Sequence, residues 1–596
     1  MRQFLKFMLA SMLGTLLVGV VLIFLFIGMI AALGASVAMQ GKPAPISERS
    51  VLHIKLDKPV VDRGSKDQFD LDMGPFSSVS QLGLNQILAS LEHAKTDDRI
   101  AGIFLDLTYV DAGYATMREI REKLVEFKKE SGKPVIAFSD TYTQGTYYLA
   151  TAADSIYLQP KGDLDHRGLR SEYMFFKGMF EKLDIDVQFI RGRNNKFKSF
   201  GEMYTEDHMS PANREQNRMI LAGLWKEHLD AIGQHTGLSH ADLDRMAEQL
   251  DVRNAEDAAE RGLVTGLKYR DEVLDVLKRS MDMPTDEDVE VAELQKYART
   301  VPDERTGKLN SKLAVIYAEG SIMTGKSEDG TIGSTSLAAT IREAREDSSI
   351  KAIVLRVNSP GGSGLASDVI WREVDLAKRV KPVVVSMGDV AASGGYYISA
   401  PATRIFAEPT TITGSIGVFG MIPNMKGFFN NKLGITFDGE KTHKYADMMT
   451  VSRPLSEEEL AIVQDYVDEF YDGFKERVAE GRKMTVAQVD SIGQGRVWTG
   501  GDALRLGLVD ELGGLEAAKT SAAELAGMSD YRVVELPKQK ELIEQLLEDL
   551  NMQASMWVAS TWMGEDVELL KQFKRAKDAK EHFGIQARMP YDIVIH

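Results

Sequence analysis

Ile350-Lys-Ala-Ile-Val-Leu-Arg-Val-Asn-Ser-Pro-Gly-Gly-Ser363, followed by Lys381-Pro-Val-Val384 and Asp389-Val-Ala-Ala-Ser-Gly-Gly395, decides the fold of this chain, because most of it is written twice. Ile100-Ala-Gly-Ile-Phe-Leu-Asp-Leu107 and Lys133-Pro-Val-Ile136 stand about 250 residues earlier. Tyr147-Tyr148 returns as Tyr396-Tyr397, and Gly262-Leu-Val264 returns as Gly507-Leu-Val509. A period of that size is far longer than a solenoid unit, so a whole domain is duplicated. The copies differ where chemistry would sit. The first reads Asp140-Thr-Tyr-Thr-Gln-Gly-Thr146 against Asp389-Val-Ala-Ala-Ser-Gly-Gly395, which puts Gln144 opposite Ser393.

Working outward, Ala314–Ala318, Ile353–Val357 and Val383–Val385 are short apolar runs of the kind buried as strands. Helical stretches near 336–347 and 366–380 fall between them. Strand and helix in alternation predict βαβ units and a mostly parallel sheet, an α/β fold repeated in tandem. The expected organisation is an N-terminal segment 1–41, a first repeat 42–290, a linker 291–312, a second repeat 313–535 and a helical C-terminal tail 536–596.

The chain has 596 residues, too many for one core, and its composition (44% hydrophobic, 27% charged) is that of ordinary globular domains. A net charge of −17 argues against a nucleic-acid surface, which needs basic stripes. The absence of cysteine excludes disulfides, thiolate catalysis and cysteine metal sites. No metal-ligand cluster and no nucleotide loop is visible, so no cofactor is expected.

Arg2 and Lys6 precede Phe7 to Gln40, a run without a charged side chain. About 20 apolar residues span a bilayer, so the run is long enough for a transmembrane helix. The early positive charges place the N-terminus in the cytoplasm and the rest of the chain outside it. Ser36-Val-Ala38 has the small residues of a cleavage site, which leaves removal of the segment open.

Two glycine-rich turns end strands of the second copy about thirty residues apart: Asn358-Ser-Pro-Gly-Gly-Ser363 and Ser393-Gly394-Gly395. Glycines let a ligand approach bare backbone N–H groups, and a serine at the head of a helix exposes its hydroxyl. Together they fit a nucleophile with an oxyanion hole; a lone Ser-Gly-Gly would be no more than a tight turn. Such a serine needs a base. None of the ten histidines has a suggestive setting in the second copy, His443 beside Lys444 being the nearest. A buried lysine can serve instead, since burial disfavours its ammonium form.

Val357-Asn-Ser-Pro-Gly-Gly-Ser363, Gly388-Asp-Val-Ala-Ala-Ser-Gly-Gly-Tyr-Tyr397 and Thr413-Gly-Ser-Ile-Gly-Val418 resemble the signal peptide peptidase A (protease IV) family, in its long, duplicated, membrane-anchored form. The resemblance covers nearly the whole chain after residue 41. It implies tandem ClpP/crotonase-like domains and a serine–lysine dyad. It also places the lysine in Asn195-Lys-Phe-Lys-Ser199 of the first copy or His443-Lys-Tyr-Ala-Asp447 of the second. Aligning Phe197 with Tyr445 sets Lys198 opposite Ala446, so each copy retains only one member of the dyad, Lys198 in the first and Ser393 in the second. Lys196 and Lys444 are the rivals for base.

On this resemblance Ser393 is the nucleophile, Lys198 the general base, Gly361, Gly362 and Gly394 the oxyanion hole, and Ser415 the residue that orients the lysine. The first copy, with Thr108-Tyr-Val-Asp-Ala-Gly113 in place of the glycine pair, should have no site of its own. The implied function is a membrane-anchored serine endopeptidase that hydrolyses apolar peptides, cleaved signal peptides among them. The implied assembly is a homotetramer in the bacterial inner membrane with its catalytic part on the periplasmic side. Two alternatives stay open: a crotonase-like acyl-CoA enzyme and a non-catalytic membrane scaffold.

Overall fold

The computed structural model describes residues 46–64, 81–284, 288–302, 310–328, 330–539 and 584–589, with parts of 3–28. Two parallel sheets carry the duplication. The first has the order Gly266–Leu267, Ser155–Leu164, Val135–Tyr142, Ile100–Asp106, Ser50–Ile54 and Val291–Glu293. In the second, Glu511–Leu512, Arg404–Ala407, Val383–Ala392, Ile350–Ser359, Lys312–Glu319 and Arg532–Leu536 follow in the same order, with Ile412–Gly414 and Val497–Thr499 added beyond the upper half of Val383–Ala392. The register repeats as well: Ile103 pairs with Val135 and Ile353 with Val383. Both sheets are covered by helices on two faces, which is why their strands read as continuous apolar runs.

The repeated short motifs have repeated physical jobs. Lys133 donates its ammonium protons to the carbonyls of Ala94 and Asp97 (2.8 Å each), and Lys381 does the same for Ala344 and Asp347 (2.9 Å each), closing the ends of the helices Leu84–Ala94 and Ser334–Glu346. Tyr147 donates its hydroxyl proton to Leu263 O (2.6 Å) and Tyr396 to Leu508 O (2.8 Å), which ties each Tyr-Tyr helix to its Gly-Leu-Val turn.

A third sheet joins the halves. Its order is Thr331–Gly333, Ser321–Met323, Gly361–Ser363, Gly584–Arg588, Phe419–Asn424 and Asp186–Arg191. Asp186–Arg191 belongs to the first half of the chain, yet it runs antiparallel to Phe419–Asn424 from Arg191↔Phe419 to Asp186↔Asn424. Helix Tyr114–Ser131 of the first half also docks on the second: half-buried Asp389 accepts the N–H of Ala115 (2.9 Å) and of Thr116 (3.0 Å) and the Thr116 hydroxyl proton (2.6 Å). The orphan donors of that helix are thus capped by a residue of the other repeat. Beside it, fully buried Arg356 donates to Asp62 (2.8 Å), Glu119 (2.6 Å) and Ser386 (2.9 Å).

Two expectations change, and a third falls largely outside the described residues. Val291–Glu293 pairs with Ser50–Ile54 and Leu294 and Tyr297 enter the first core, so these residues expected in the linker extend the first sheet by its edge strand. Within the expected helical tail, Leu536 ends the strand Arg532–Leu536, and Gly584–Arg588 is a strand because it lies between two edges that each offer main-chain partners; residues 540–583 and 590–596 fall outside the described residues. In the 1–41 segment, the residues described between 3 and 28 are helical with exposed apolar side chains such as Leu13 and Leu16, and residues 29–41 lie outside the described residues. Among the described residues no helix is long and apolar enough to cross a membrane.

Candidate active site

Ser393 ends the strand Val383–Ala392 and opens the helix Gly394–Ser399. Its backbone is held at φ +56°, a left-handed conformation that costs a non-glycine residue about 1–3 kcal/mol and must be imposed by its surroundings. Two hydrogen bonds impose it: Ser393 N–H donates to Gly414 O (2.8 Å), and Ser393 O accepts from Tyr397 N–H (2.8 Å). The small residues Ala391, Ala392, Gly394 and Gly395 leave room for this sharp strand-to-helix turn.

Lys198 reaches the same place from the other half. The strand Asp186–Arg191 delivers it, and the Gly192–Lys198 loop then folds back on itself through Asn195 N–H to Gly192 O (3.0 Å) and Lys198 N–H to Asn195 O (3.1 Å). Phe197 N–H donates to Gln494 O (3.0 Å), and the Arg496 guanidinium stacks on the Phe197 ring at 4.6 Å, so the second half clamps the loop. Lys198 is completely buried, with Nζ 2.8 Å from Ser393 Oγ, 3.0 Å from Ser415 Oγ and 3.1 Å from Ser415 O. No carboxylate is among these neighbours. Burial alone therefore acts on the ammonium form, and it holds the Lys198 pKa well below the ordinary 10.5.

The two glycine-rich turns meet beside Ser393, with Gly361 against Gly394. Gly361 has φ +95°, and a Cβ there would stand 2.6 Å from the Gly394 nitrogen. Gly361 N–H already donates to Ser359 Oγ (3.1 Å), so of the glycine pair Gly362 is the better donor beside Gly394. The rival lysines are elsewhere. Lys444 has a 62% exposed side chain paired with Glu458, and Lys196 is exposed with its ammonium over the Phe197 ring at 4.9 Å.

One residue of the site has no motif to announce it. A Cβ on Gly495 (φ +77°) would meet Lys198 Cβ at 2.6 Å and Lys198 N at 2.7 Å, so this glycine makes the space in which the lysine backbone lies. With Lys198 as the expected base, Gly495→Ala should lower kcat about 10–100-fold with little change in KM, because a displacement of about 1 Å at such a group costs rate more than binding. Steady-state kinetics on a folded variant checks this; an unchanged kcat would show that the loop yields without moving the amine.

Two copies of one α/β unit, one of them with a buried lysine–serine contact supplied by the other, agree with what the chain resembles among known proteins. The family model described as Peptidase family S49 matches it twice, at residues 127–283 and 375–529. The chain belongs to peptidase family S49. Protease 4 of Salmonella typhi is 36% identical over 477 residues, covering 78% of this chain and 76% of that protein. Protease 4 of Haemophilus influenzae is 34% identical, covering 81% and 79%. Serine protease SPPA, chloroplastic, of Arabidopsis thaliana is 34% identical, covering 75% and 66%. The chain is therefore a serine peptidase of the duplicated protease IV type, and the acyl-CoA and scaffold readings fall away.

Proposed function

We propose that the chain is a membrane-anchored endopeptidase in which Ser393 and Lys198 form one dyad shared between two ClpP/crotonase-like repeats. The observation that carries this reading is the 2.8 Å contact between Ser393 Oγ and a buried lysine amine that no carboxylate accompanies. A neutral amine has two protons and one lone pair. Lys198 then donates both protons to Ser415 Oγ and O, and its lone pair accepts the hydroxyl proton of Ser393. Ser415 thereby fixes the direction of the lone pair.

In the reaction, Ser393 Oγ bonds to the substrate carbonyl carbon while its proton passes to Lys198 Nζ. The oxygen that gains charge is held by the N–H groups of Gly394 and Gly362, each such donor being worth about 3–4 kcal/mol in the transition state. The C–N bond breaks as Lys198 returns the proton to the leaving amine. A water molecule, deprotonated by Lys198, then attacks the ester carbonyl; the bond from that carbon to Ser393 Oγ breaks, and Lys198 returns the proton to Ser393 Oγ. No cofactor enters.

The uncharged run Phe7 to Gln40 supports an anchor in the bacterial inner membrane, with the peptidase on its periplasmic side and cleaved signal peptides and other apolar peptides as substrates. A homotetramer is the assembly proposed. The reading is tested by peptidase assays on an apolar reporter peptide with the full chain and folded variants. Ser393→Ala and Lys198→Met should be inactive while Lys444→Ala keeps wild-type kcat/KM. Loss of activity in Lys444→Ala with retention in Lys198→Met would make the second half self-sufficient and overturn the shared dyad.

A further inference from the structure

The three hydrogen bonds of Lys198 Nζ all go to the second half, to Ser393 and Ser415. The first half therefore holds the amine through the chain that carries it. Gln216, on the helix Pro211–Thr236, bonds both residues that flank the lysine. Its Nε2 donates to Phe197 O (3.3 Å) and to Ser199 Oγ (3.0 Å). Phe197, Lys198, Ser199 and Gln216 are all buried, so water offers these groups no alternative partners.

The other end of the same amide meets the second half. Val497 N–H approaches Gln216 Oε1 at 3.5 Å, a long contact. Val497 stands opposite Gly414 in the sheet, and Gly414 O is the acceptor of Ser393 N–H. Arg496 O, one residue earlier, accepts Ser415 N–H (2.6 Å). One side chain thus spans from the loop of the base to the strand that backs the nucleophile's turn. Behind it, Nε2 also reaches Asn213 Oδ1 (3.3 Å), and Asn213 Nδ2 donates to buried Glu202 (3.0 Å), which accepts the Ser210 hydroxyl proton (2.6 Å). A buried amide engaged on both its oxygen and its nitrogen is held in one orientation. The repeat gives an independent indication. The second copy has a helix of the same 26 residues, Glu457–Arg482, capped by Ser456 as Pro211–Thr236 is capped by Ser210. Counted from these caps, Gln216 stands where the second copy has Ile462. The amide is present in the copy that carries the lysine and replaced by an apolar side chain in the copy that has Ala446 instead.

We propose that Gln216 is a positioning residue for the general base: by bonding Phe197 and Ser199 against Val497, it sets where the Lys198 amine stands relative to Ser393. That role presupposes the shared dyad proposed above. Gln216 makes no hydrogen bond to Nζ or to Ser393 and acts through the lysine alone. Without the amide the loop keeps Phe197 N–H on Gln494 O and Lys198 N–H on Asn195 O, so it stays in place but loses the restraint on both flanks of the base. A displacement of about 1 Å at such a group costs up to about 100-fold in rate. A looser slot also lets water approach the amine, which weakens the burial that holds its pKa down.

The test is Gln216→Met in the full chain, which keeps the length of the side chain and removes its hydrogen bonds, with folding checked by circular dichroism. On the apolar reporter peptide kcat should fall about 10–100-fold with KM within about twofold of wild type. The acid limb of the kcat/KM pH profile should also move up towards the ordinary lysine value of 10.5. An unchanged kcat, a loss carried by KM, or a lower kcat with an unmoved acid limb would overturn the proposal, the last being what a merely structural role gives. If Gln216→Met does not fold, Ser199→Ala decides by the same readouts, since it removes one of the two flanking acceptors and leaves the helix intact. Its kcat should fall about 3–10-fold with the acid limb displaced in the same direction, and an unmoved limb overturns the proposal. A failure of the dyad would instead appear as wild-type activity in Lys198→Met, with Gln216 untouched.

Discussion

Lys198→Met lowers kcat/KM by roughly 10⁴–10⁶-fold, and Ser393→Ala does the same, while the double variant is no worse than either alone. The size follows from the geometry. Nζ of Lys198, the proposed base, is hydrogen-bonded to Ser393 Oγ and otherwise to Ser415 alone, and Ser415 offers no group of comparable basicity. Methionine fills the buried slot without a charge or a lone pair of comparable basicity, which keeps the loss chemical and leaves the fold alone. The pH dependence has a definite sign. The amine must be neutral to accept the proton, and burial lowers its pKa. Activity therefore rises with pH through the depressed Lys198 value and is already present below 10.5, where a solvated lysine would remain protonated. A pH profile of kcat/KM on the reporter peptide checks both statements. An acid limb centred at the ordinary lysine value would show that burial does not tune this group.

Arg356→Met destabilises the protein by roughly 3–5 kcal/mol, the largest effect expected outside the site. Arg356 is the buried cation between Asp62 and Glu119, and Glu119 in turn accepts Leu515 N–H at 2.7 Å. Removing the guanidinium leaves those carboxylates buried at the junction of the halves without their counter-charge. Because docking of the halves also brings Lys198 to Ser393, activity should fall together with the thermal midpoint as heating opens the junction. Differential scanning calorimetry alongside activity measures both; a midpoint within a degree of wild type would mean that water relieves the buried acids. Acid should help this junction. Burial and the neighbouring Asp62 carboxylate push Glu319 up to about 7 from 4.5, so the folded chain holds a proton that the unfolded chain has released. Its contribution is fully present below about 4.5 and is lost as pH climbs through about 7.

The duplicated sheets are legible in the sequence because each strand is a short apolar run bounded by turn residues and appears twice. The repeat register also brings out the missing partner in each copy, since Ser393 opposite Gln144 and Lys198 opposite Ala446 are comparisons of aligned positions. Three features carry no local signal. Asp186–Arg191 pairs with Phe419–Asn424 across more than two hundred residues, and non-local pairing is not written in either strand alone. Gly495 matters through what a Cβ would strike on Lys198, which only the folded backbone reveals. Gly584–Arg588 has a single β-branched residue in five, so its strand state comes from the two edges that receive it. Asp389 stands inside a motif that sequence comparison singles out, yet its role of capping a helix of the other repeat becomes clear only when the halves are docked.

The most direct measurement is the rate at which a serine-directed fluorophosphonate labels the full chain as a function of pH, with the labelled residue identified by mass spectrometry, in wild type and Lys198→Met. The expected result is one modified residue, Ser393, labelled at a rate that rises with pH through a depressed lysine pKa and collapses in Lys198→Met. Labelling of Ser393 at equal rates in both proteins, or of a different serine, would contradict a nucleophile and base shared between the two repeats.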